Sequence, residues 1–315
     1  MSRRECLGAA CAARNPFRAA VFIIGVIVVW AGLRTAATPA MGQAAAALPA
    51  AGQFPAYRAP RLPGTNEPNL NGIWQALTSA DWDIQGHDAQ PGLHPELEGT
   101  YDAQPAGQSI VEGGVIPYKP EMLAKKKANF EKRAVVNVTA VDADWYATGD
   151  PEIKCYLPGV PRATYMPFPF QIVQGNGSYI LIAYEYASTT RTIHMNSSDK
   201  PPSDSWMGWS RGHWEGDTLV VDVAGFNDLT WFDRAGDFHS DALHVVERYT
   251  PVSPYHLQYE ATIDDPKIFT RPWKISLPLY RRVDKGAQLL EDKCVPIAEE
   301  LLYGKLRKNA RKQTP

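Results

Sequence analysis

Residues 226–248, FNDLTWFDRAGDFHSDALHVVER, set His239 and His244 among Asp228, Asp233, Asp237, Asp241 and Glu247, with Arg234 and Arg248 close by. A histidine here suits general acid/base work, because its unperturbed pKa lies near neutrality. In that reading His239 is the acid/base, and Asp233 or Asp237 orients its ring and favours the charged form. His244 and Arg248 share one face of the strand that follows. With His194 of TTRTIHM they could polarise a substrate in a polar cavity. The plainer reading of such strand residues is a satisfied histidine and a cross-strand ion pair. Ser240 is next to His239, but consecutive side chains diverge. No Gly-x-Ser-x-Gly elbow occurs, so a covalent serine mechanism is not expected.

His194, His213, His239 and His244 with nearby acids could supply two histidines and a carboxylate to a metal. The chain has no His-x-His, His-Glu-x-x-His or Cys-x-x-Cys spacing, so no metal is expected. No glycine-rich phosphate loop is present either, because the GNG at 175–177 reads as a turn. The chemistry expected is therefore free of cofactors.

Aromatic residues point to the ligand. SWMGWSRGHW (205–214) alternates, with Met207, Trp209, Arg211 and His213 on one face and Gly208, Ser210, Gly212 and Trp214 on the other. Glycines there leave room for a neighbour. Trp209 and Trp231, with Tyr184, Tyr186 and His194, could line a pocket for a small apolar or aromatic molecule. Ordinary core packing is the competing account of each one.

Period-two segments must position these groups. PFQIVQ leads through 175–177 into YILIAYEY (179–186), a hairpin signal. HLQYEATID (256–264) puts Leu257, Tyr259, Ala261 and Ile263 on one side. WKISLPLYRR (273–282) does so with Trp273, Ile275, Leu277 and Leu279. HWEGDTLVVDV (213–223) bends at Glu215-Gly216-Asp217 into a further strand. About ten such strands predict a mainly β fold, an antiparallel lipocalin-like β-barrel or a closed sandwich with a few peripheral helices. Those helices are KPEMLAKKKANFEKR (119–133), with Pro120 at a favourable first position, and AEELLYGKL (298–306). The seventeen residues between Gly225 and Leu243 are long for a hairpin connection. Their aromatics demand burial, which argues for function over disorder.

Residues 1–44 read as an export signal: Arg3, Arg4, Arg14 and Arg18 precede the apolar AAVFIIGVIVVWAGL, and Gly42-Gln43-Ala44 offers a cleavage site. The apolar run is shorter than a spanning helix needs, so cleavage is expected over a retained N-terminal anchor. Residues 45–66 read as a flexible linker and 67–315 as a single β-rich domain. The signal carries five Arg and one Glu. Without it the 32 basic and 34 acidic residues become 27 and 33, a formal charge of −6. A nucleic-acid partner leaves a basic footprint, and this balance excludes one. The basic KLRKNARK at 305–312 reads as a solvated tail. Cys155 and Cys294 remain after processing. In an oxidising compartment they form one bridge or stay as two separate buried thiols.

NLNGIWQ, GGVIPYKPE, KCYLPGVPRATYMPFPFQIVQ, AYEYASTTRTIHM, DPKIFTRPWKISLPLYRR and the long stretch from Ser205 to Tyr249 together resemble a family of exported bacterial proteins. That family carries the W-E-G-D-T-L-V-V-D and F-H-S-D-x-L-H-V-V-E-R segments. The resemblance covers roughly residues 67–303. It implies an exported, single-domain, β-rich protein and assigns no activity, cofactor or catalytic residue. Gly72-x-Trp74 on a first strand is similar, more weakly, to the start of lipocalin-like barrels.

The expectation is an exported enzyme, periplasmic or secreted, acting on a small apolar or aromatic molecule by elimination, isomerisation, cyclisation or hydration. Two other classes compete with it. One is a lipocalin-like carrier. The other is an envelope interaction protein that uses the aromatic loop as a contact surface, which would require Trp231 and Phe232 to be exposed.

Overall fold

The computed structural model describes residues 57–91, 103–133, 149–175 and 177–294. Nine strands follow one another round a closed barrel. They are β1 (Gly72–Ala76), β2 (Phe170–Gln174), β3 (Tyr179–Tyr184), β4 (Thr190–Met195), β5 (Trp209–Glu215), β6 (Thr218–Ala224), β7 (His244–Ser253), β8 (His256–Asp264) and β9 (Trp273–Arg281). β1 pairs with β2 on one side and β9 on the other, which closes the sheet and leaves no free edge. The mainly β barrel matches expectation, with one departure from a purely antiparallel ladder. β4 and β5 run parallel, because residues 196–208 carry the chain back along the barrel before β5 begins.

The alternation dictates which residues fill the interior. Leu257, Tyr259, Ala261 and Ile263 are buried on β8, as are Trp273, Ile275, Leu277 and Leu279 on β9. On β5 the inward side carries Ser210 and Gly212. A Cβ on Gly212 would lie 2.6 Å from Ile193 and 2.7 Å from the Met195 sulfur, so this glycine does admit its neighbours. Each large buried apolar side chain contributes about 2–3 kcal/mol.

The barrel's two ends differ. Tight turns join β2 to β3, β5 to β6 and β7 to β8 at one end. At the other lie the long connections: 77–91, 103–118, 149–169, 225–243 and 265–272. Helix α1 (Leu123–Lys132) follows a 3-10 turn at Pro120–Met122, and the short helix α2 (Arg162–Tyr165) is wholly buried. The buried charges discussed below gather at this loop end.

Cys155 and Cys294 are bonded. The bridge fits an oxidising, extracytoplasmic compartment and disposes of the two-thiol alternative. It ties the 149–156 stretch to the 290–294 segment, and that segment also meets residues 185–188, where Glu185 accepts from Leu290 N and Asp292 from Ala187 N. Part of the expected linker is packed: Ala59 and Leu62 are buried, and Arg61 bridges to Pro68. The export signal, the earlier linker residues, Asn176 of the first hairpin, the helix at 298–306 and the basic tail lie outside the described residues. Among the described residues no helix is long and apolar enough to cross a membrane.

Candidate functional site

The 225–243 connection is a folded flap over the loop end. Trp231 and Phe238 form an antiparallel bridge, and Phe232 N donates to Asp237 O at 2.7 Å, closing a turn over Asp233, Arg234, Ala235 and Gly236. Phe226, Phe232 and Phe238 point inward and are buried, while Trp231 is half-buried. The burial of Phe232 takes it out of any contact surface and corrects the reading of this loop as an aromatic docking patch. Apolar area supplies the reason, since three phenylalanines cannot stay in water when the barrel end offers them cover.

The turn delivers two carboxylates to one place. Asp233 accepts Asp237 N at 3.1 Å on one oxygen and Ile84 N at 3.0 Å on the other. Both Asp233 and Asp237 are fully buried. Asp83 joins them, and one ligand-type oxygen from each of the three lies within 4.8 Å of the others. Lys126 of α1 reaches down to Asp237 at 2.8 Å. Tyr118 accepts Phe238 N at 3.0 Å, and Asn129 of α1 donates to Gly236 O at 3.1 Å, so helix and flap lock together. Three acids meet one ammonium.

The electrostatics follow. Burial first, then the charges of Asp237 and Asp83, push Asp233 well above the usual carboxylate range. Burial raises Asp83 as well, and Asp237 adds to it. Burial alone would lower Lys126, but Asp237 outweighs it and the ammonium is held above its ordinary value. Burial and Asp237 likewise keep Tyr118 protonated. Asp83 is only half-buried and Lys126 about a quarter exposed, so the cluster opens to solvent on their side. The three oxygens are also spaced as a hard divalent cation would need, with the Lys126 ammonium as the cation seen there.

Sequence reasoning singled out Asp233 and Asp237 as orienters of His239. Neither touches it. His239 is buried between Phe226 and Phe232. Its Nε2 lies 2.6 Å from Thr230 Oγ1 and its Nδ1 2.9 Å from Ser240 O. A carbonyl can only accept, so Nδ1 carries the proton and Nε2 takes the Thr230 hydroxyl proton. Burial lowers the ring's pKa, so this imidazole is neutral and braces the flap. Ser240 is committed to Asp265, which accepts both its N–H and its hydroxyl.

The three histidines do not converge. His244 is on the outer face of β7, paired with Asp222 at 2.8 Å, and Arg248 beside it pairs with Glu215 at 2.7 Å. His194 is on the outer face of β4, stacked on Trp209 with ring centroids 4.0 Å apart. His213 faces Glu215 at 3.3 Å, also outside. The cause is parity along the strand: His244 and Arg248 alternate with Val245, Glu247 and Tyr249, and the second set faces inward. Cross-strand pairing, weighed as the plainer account, describes these residues. Tyr184 ends β3 inside the barrel, and Tyr186, in the next turn, donates to Glu152 O at 3.0 Å. The expected aromatic pocket is therefore split between the outer face, the flap and the interior.

Two further buried networks escaped sequence reasoning. In the first, Arg162 of α2 binds Asp81 at 2.9 Å, Asp150 at 2.9 Å and Glu152 at 2.7 Å. Arg234 of the flap binds Glu152 at 2.6 Å. Burial and Glu152 raise Asp81 to about 6, against the pull of the two arginines. Burial would raise Glu152 too, but Arg234 and then Arg162 bring it to about 2. Breaking such a buried pair by removing one partner costs about 3–5 kcal/mol.

The second network crosses the barrel lumen. Arg191 of β4 pairs with Glu247 of β7 through Nη2 and donates from Nε to Ser210 Oγ at 2.7 Å. Tyr249 and Tyr259 donate to the other Glu247 oxygen at 2.9 and 2.8 Å. Arg191 shares a strand face with Ile193 and Met195, and Glu247 shares one with Val245 and Tyr249, but only the closed barrel turns both faces inward and brings the two charges together.

Comparison of the chain with protein-family models, with curated proteins and with solved structures finds no match.

Proposed function

We propose that the protein is an exported enzyme, periplasmic or secreted after loss of its signal, that acts on a small apolar or aromatic molecule by cofactor-independent acid/base chemistry. Asp233 and Asp237 are the working pair. The observation that carries this reading is the burial of two complete carboxylates beside a third, with a single ammonium among them. A carboxyl held protonated by burial and by neighbouring acids is a candidate proton donor in a functional site.

Asp233 is the proton-holding member. Asp237, paired with Lys126, is the acceptor. In an isomerisation the acceptor takes a proton from a substrate carbon and the holder returns one elsewhere, and passage of a proton from Asp237 back to Asp233 then restores the pair. In an elimination the acceptor takes the carbon-bound proton and the holder protonates the leaving group. Asp83 and Lys126 mark the solvent side from which substrate reaches the pair. Phe238, Tyr118 and Trp82 supply apolar surface nearby. His239, His244 and Arg248 have no part in the chemistry. His239 positions the flap that carries both aspartates.

The test compares mature wild-type protein with Asp237→Asn in untargeted metabolite profiling of a small-molecule extract. Wild type depletes one compound and accumulates its product, and the variant does neither while remaining folded by circular dichroism. Equal turnover by the variant overturns the assignment.

One observation favours the carrier reading. At the tight-turn end a cleft of about 250 Å³ is lined by Leu70, Trp74, Pro251, Leu257 and Arg281, among others. Compounds retained without turnover, and released by Trp74→Ala, support that alternative.

A further inference from the structure

The cleft at the tight-turn end holds a cation without a counter-ion. Arg281, the last residue of β9, lines it with Trp74, Leu257 and Pro251. Among the described residues no acid lines it. Arg281 donates from Nε to Pro254 O at 3.0 Å and from Nη1 to Asn71 O at 2.6 Å. Both acceptors are neutral carbonyls. Burial lowers the pKa of this arginine, and Tyr57 alone pulls the other way. The partly exposed Arg211 and Arg234 each have an acid, Asp222 and Glu152. Arg281 has no ion pair among the described residues.

The guanidinium is held in place. It lies over the Trp74 ring, 4.3 Å from the centroid, and Trp74 is fixed by its own Nε1 bond to Leu70 O at 3.0 Å. A Cβ on Gly72 would lie 2.3 Å from Arg281 Nη1, so only glycine lets the guanidinium settle there. Two asparagines of the lining have spent their oxygens. Asn69 Oδ1 accepts Asn71 N at 3.0 Å, and Asn71 Oδ1 accepts Gln174 N at 2.6 Å. What these side chains have left to give is N–H. Arg281 Nη2 also bonds to nothing among the described residues, so the cleft has donors to spare and no anion.

Charge and surface decide the ligand. A guanidinium drawn partly out of water, with no acid beside it, favours an anion that supplies the missing charge. The planar fork of arginine matches a carboxylate in particular. Leu257 and Pro251 offer apolar cover to the rest of the molecule. A cleft of about 250 Å³ limits that body to a single ring or a short chain.

We propose that this cleft binds a small carboxylate, its charge held by Arg281 and its apolar body laid against Leu257 and Pro251. The assignment rests on the carrier reading of the cleft and names its class of ligand. It does not involve the aspartate pair at the loop end.

The experiment titrates full-length mature protein calorimetrically with benzoate and, in parallel, with benzamide, its uncharged counterpart. Benzoate binds at least about tenfold more tightly than benzamide, the worth of a charge-assisted hydrogen bond. Arg281→Gln, verified as folded by circular dichroism, abolishes that preference. Asn69→Asp keeps the oxygen that Asn71 N needs and adds a negative charge to the lining. It weakens benzoate about tenfold, and it decides the matter if the arginine variant does not fold. Benzamide bound as tightly as benzoate would leave a carrier of neutral molecules and overturn the carboxylate assignment. Failure of both to bind, or a benzoate affinity unchanged by the substitutions, would overturn the site itself.

Discussion

Thr230 Oγ1 and His239 Nε2 are 2.6 Å apart, nine residues from each other in one buried flap. The pair needs a neutral ring, and burial keeps it so by lowering the pKa of His239 from 6.5. The stability this contributes is complete above the unfolded value and is lost as pH falls through the folded one. The protection of amides across 226–242, taken relative to intrinsic exchange at each pH, is predicted to fall as pH drops below about 6.5, and His239→Gln is predicted to remove that fall. Protection in this segment insensitive to the same pH change would contradict the neutral-ring assignment.

Gly159 packs against the same threonine. A Cβ there would lie 2.6 Å from Thr230 Oγ1, on a backbone with φ of +74°. Gly159→Ala is predicted to cost about 1–3 kcal/mol, from strain and from displacement of the threonine. Adding Thr230→Ala is predicted to recover the steric part only. Urea denaturation of both variants checks the coupling.

Asp233 and Asp237 are coupled by charge, so each reports on the other. With Asp237→Asn the repulsion that helps to raise Asp233 is gone, and its titration midpoint should move down towards the ordinary carboxylate range. Carboxyl ¹³C NMR reads this directly. In the wild type a raised carboxylate contributes stability that is lost as pH rises through its folded pKa, so the variant should show that loss at lower pH. An unmoved Asp233 midpoint would mean that burial alone sets it.

Glu152 behaves in the opposite sense. Its pKa falls from 4.5 to about 2 in the fold, so its contribution is whole above 4.5 and disappears as pH falls towards 2. The shift corresponds to about 3 kcal/mol. Denaturation of wild type and Glu152→Gln should give curves that differ by about that much at pH 6 and converge near pH 2. A gap constant with pH would assign the loss to packing.

The Cys155–Cys294 bridge closes a loop with a sequence separation of 139 residues. Replacing both cysteines with serine is predicted to cost about 2–5 kcal/mol. The amides of Ala187 and Leu290 should then exchange first, because their acceptor bonds to Asp292 and Glu185 rely on the 290–294 segment that Cys294 anchors.

The barrel was written in the sequence because strand parity is local. Any reader of Leu257, Tyr259, Ala261 and Ile263, or of Trp273 to Leu279, sees one apolar side, and nine such segments must close or hide their edges. The same local rule put His244 and Arg248 on one face and Glu247 and Tyr249 on the other. It could not say which face was inside, because Val246 and Val245 give each face an apolar member. Burial decided that only when β6 and β8 packed on either side. The flap's importance was also legible, since its aromatics had to be covered. The meeting of Asp233 and Asp237 with Asp83 and Lys126 was not, because these residues come from a loop, helix α1 and the flap, scattered over 155 positions of chain. Nor was the assembly of Arg162 with Asp81, Asp150 and Glu152, or of Arg191 with Glu247. Pattern along a chain specifies direction relative to a sheet. Which charges end up adjacent depends on how the loops close over the barrel end, and that is set by the tertiary fold alone.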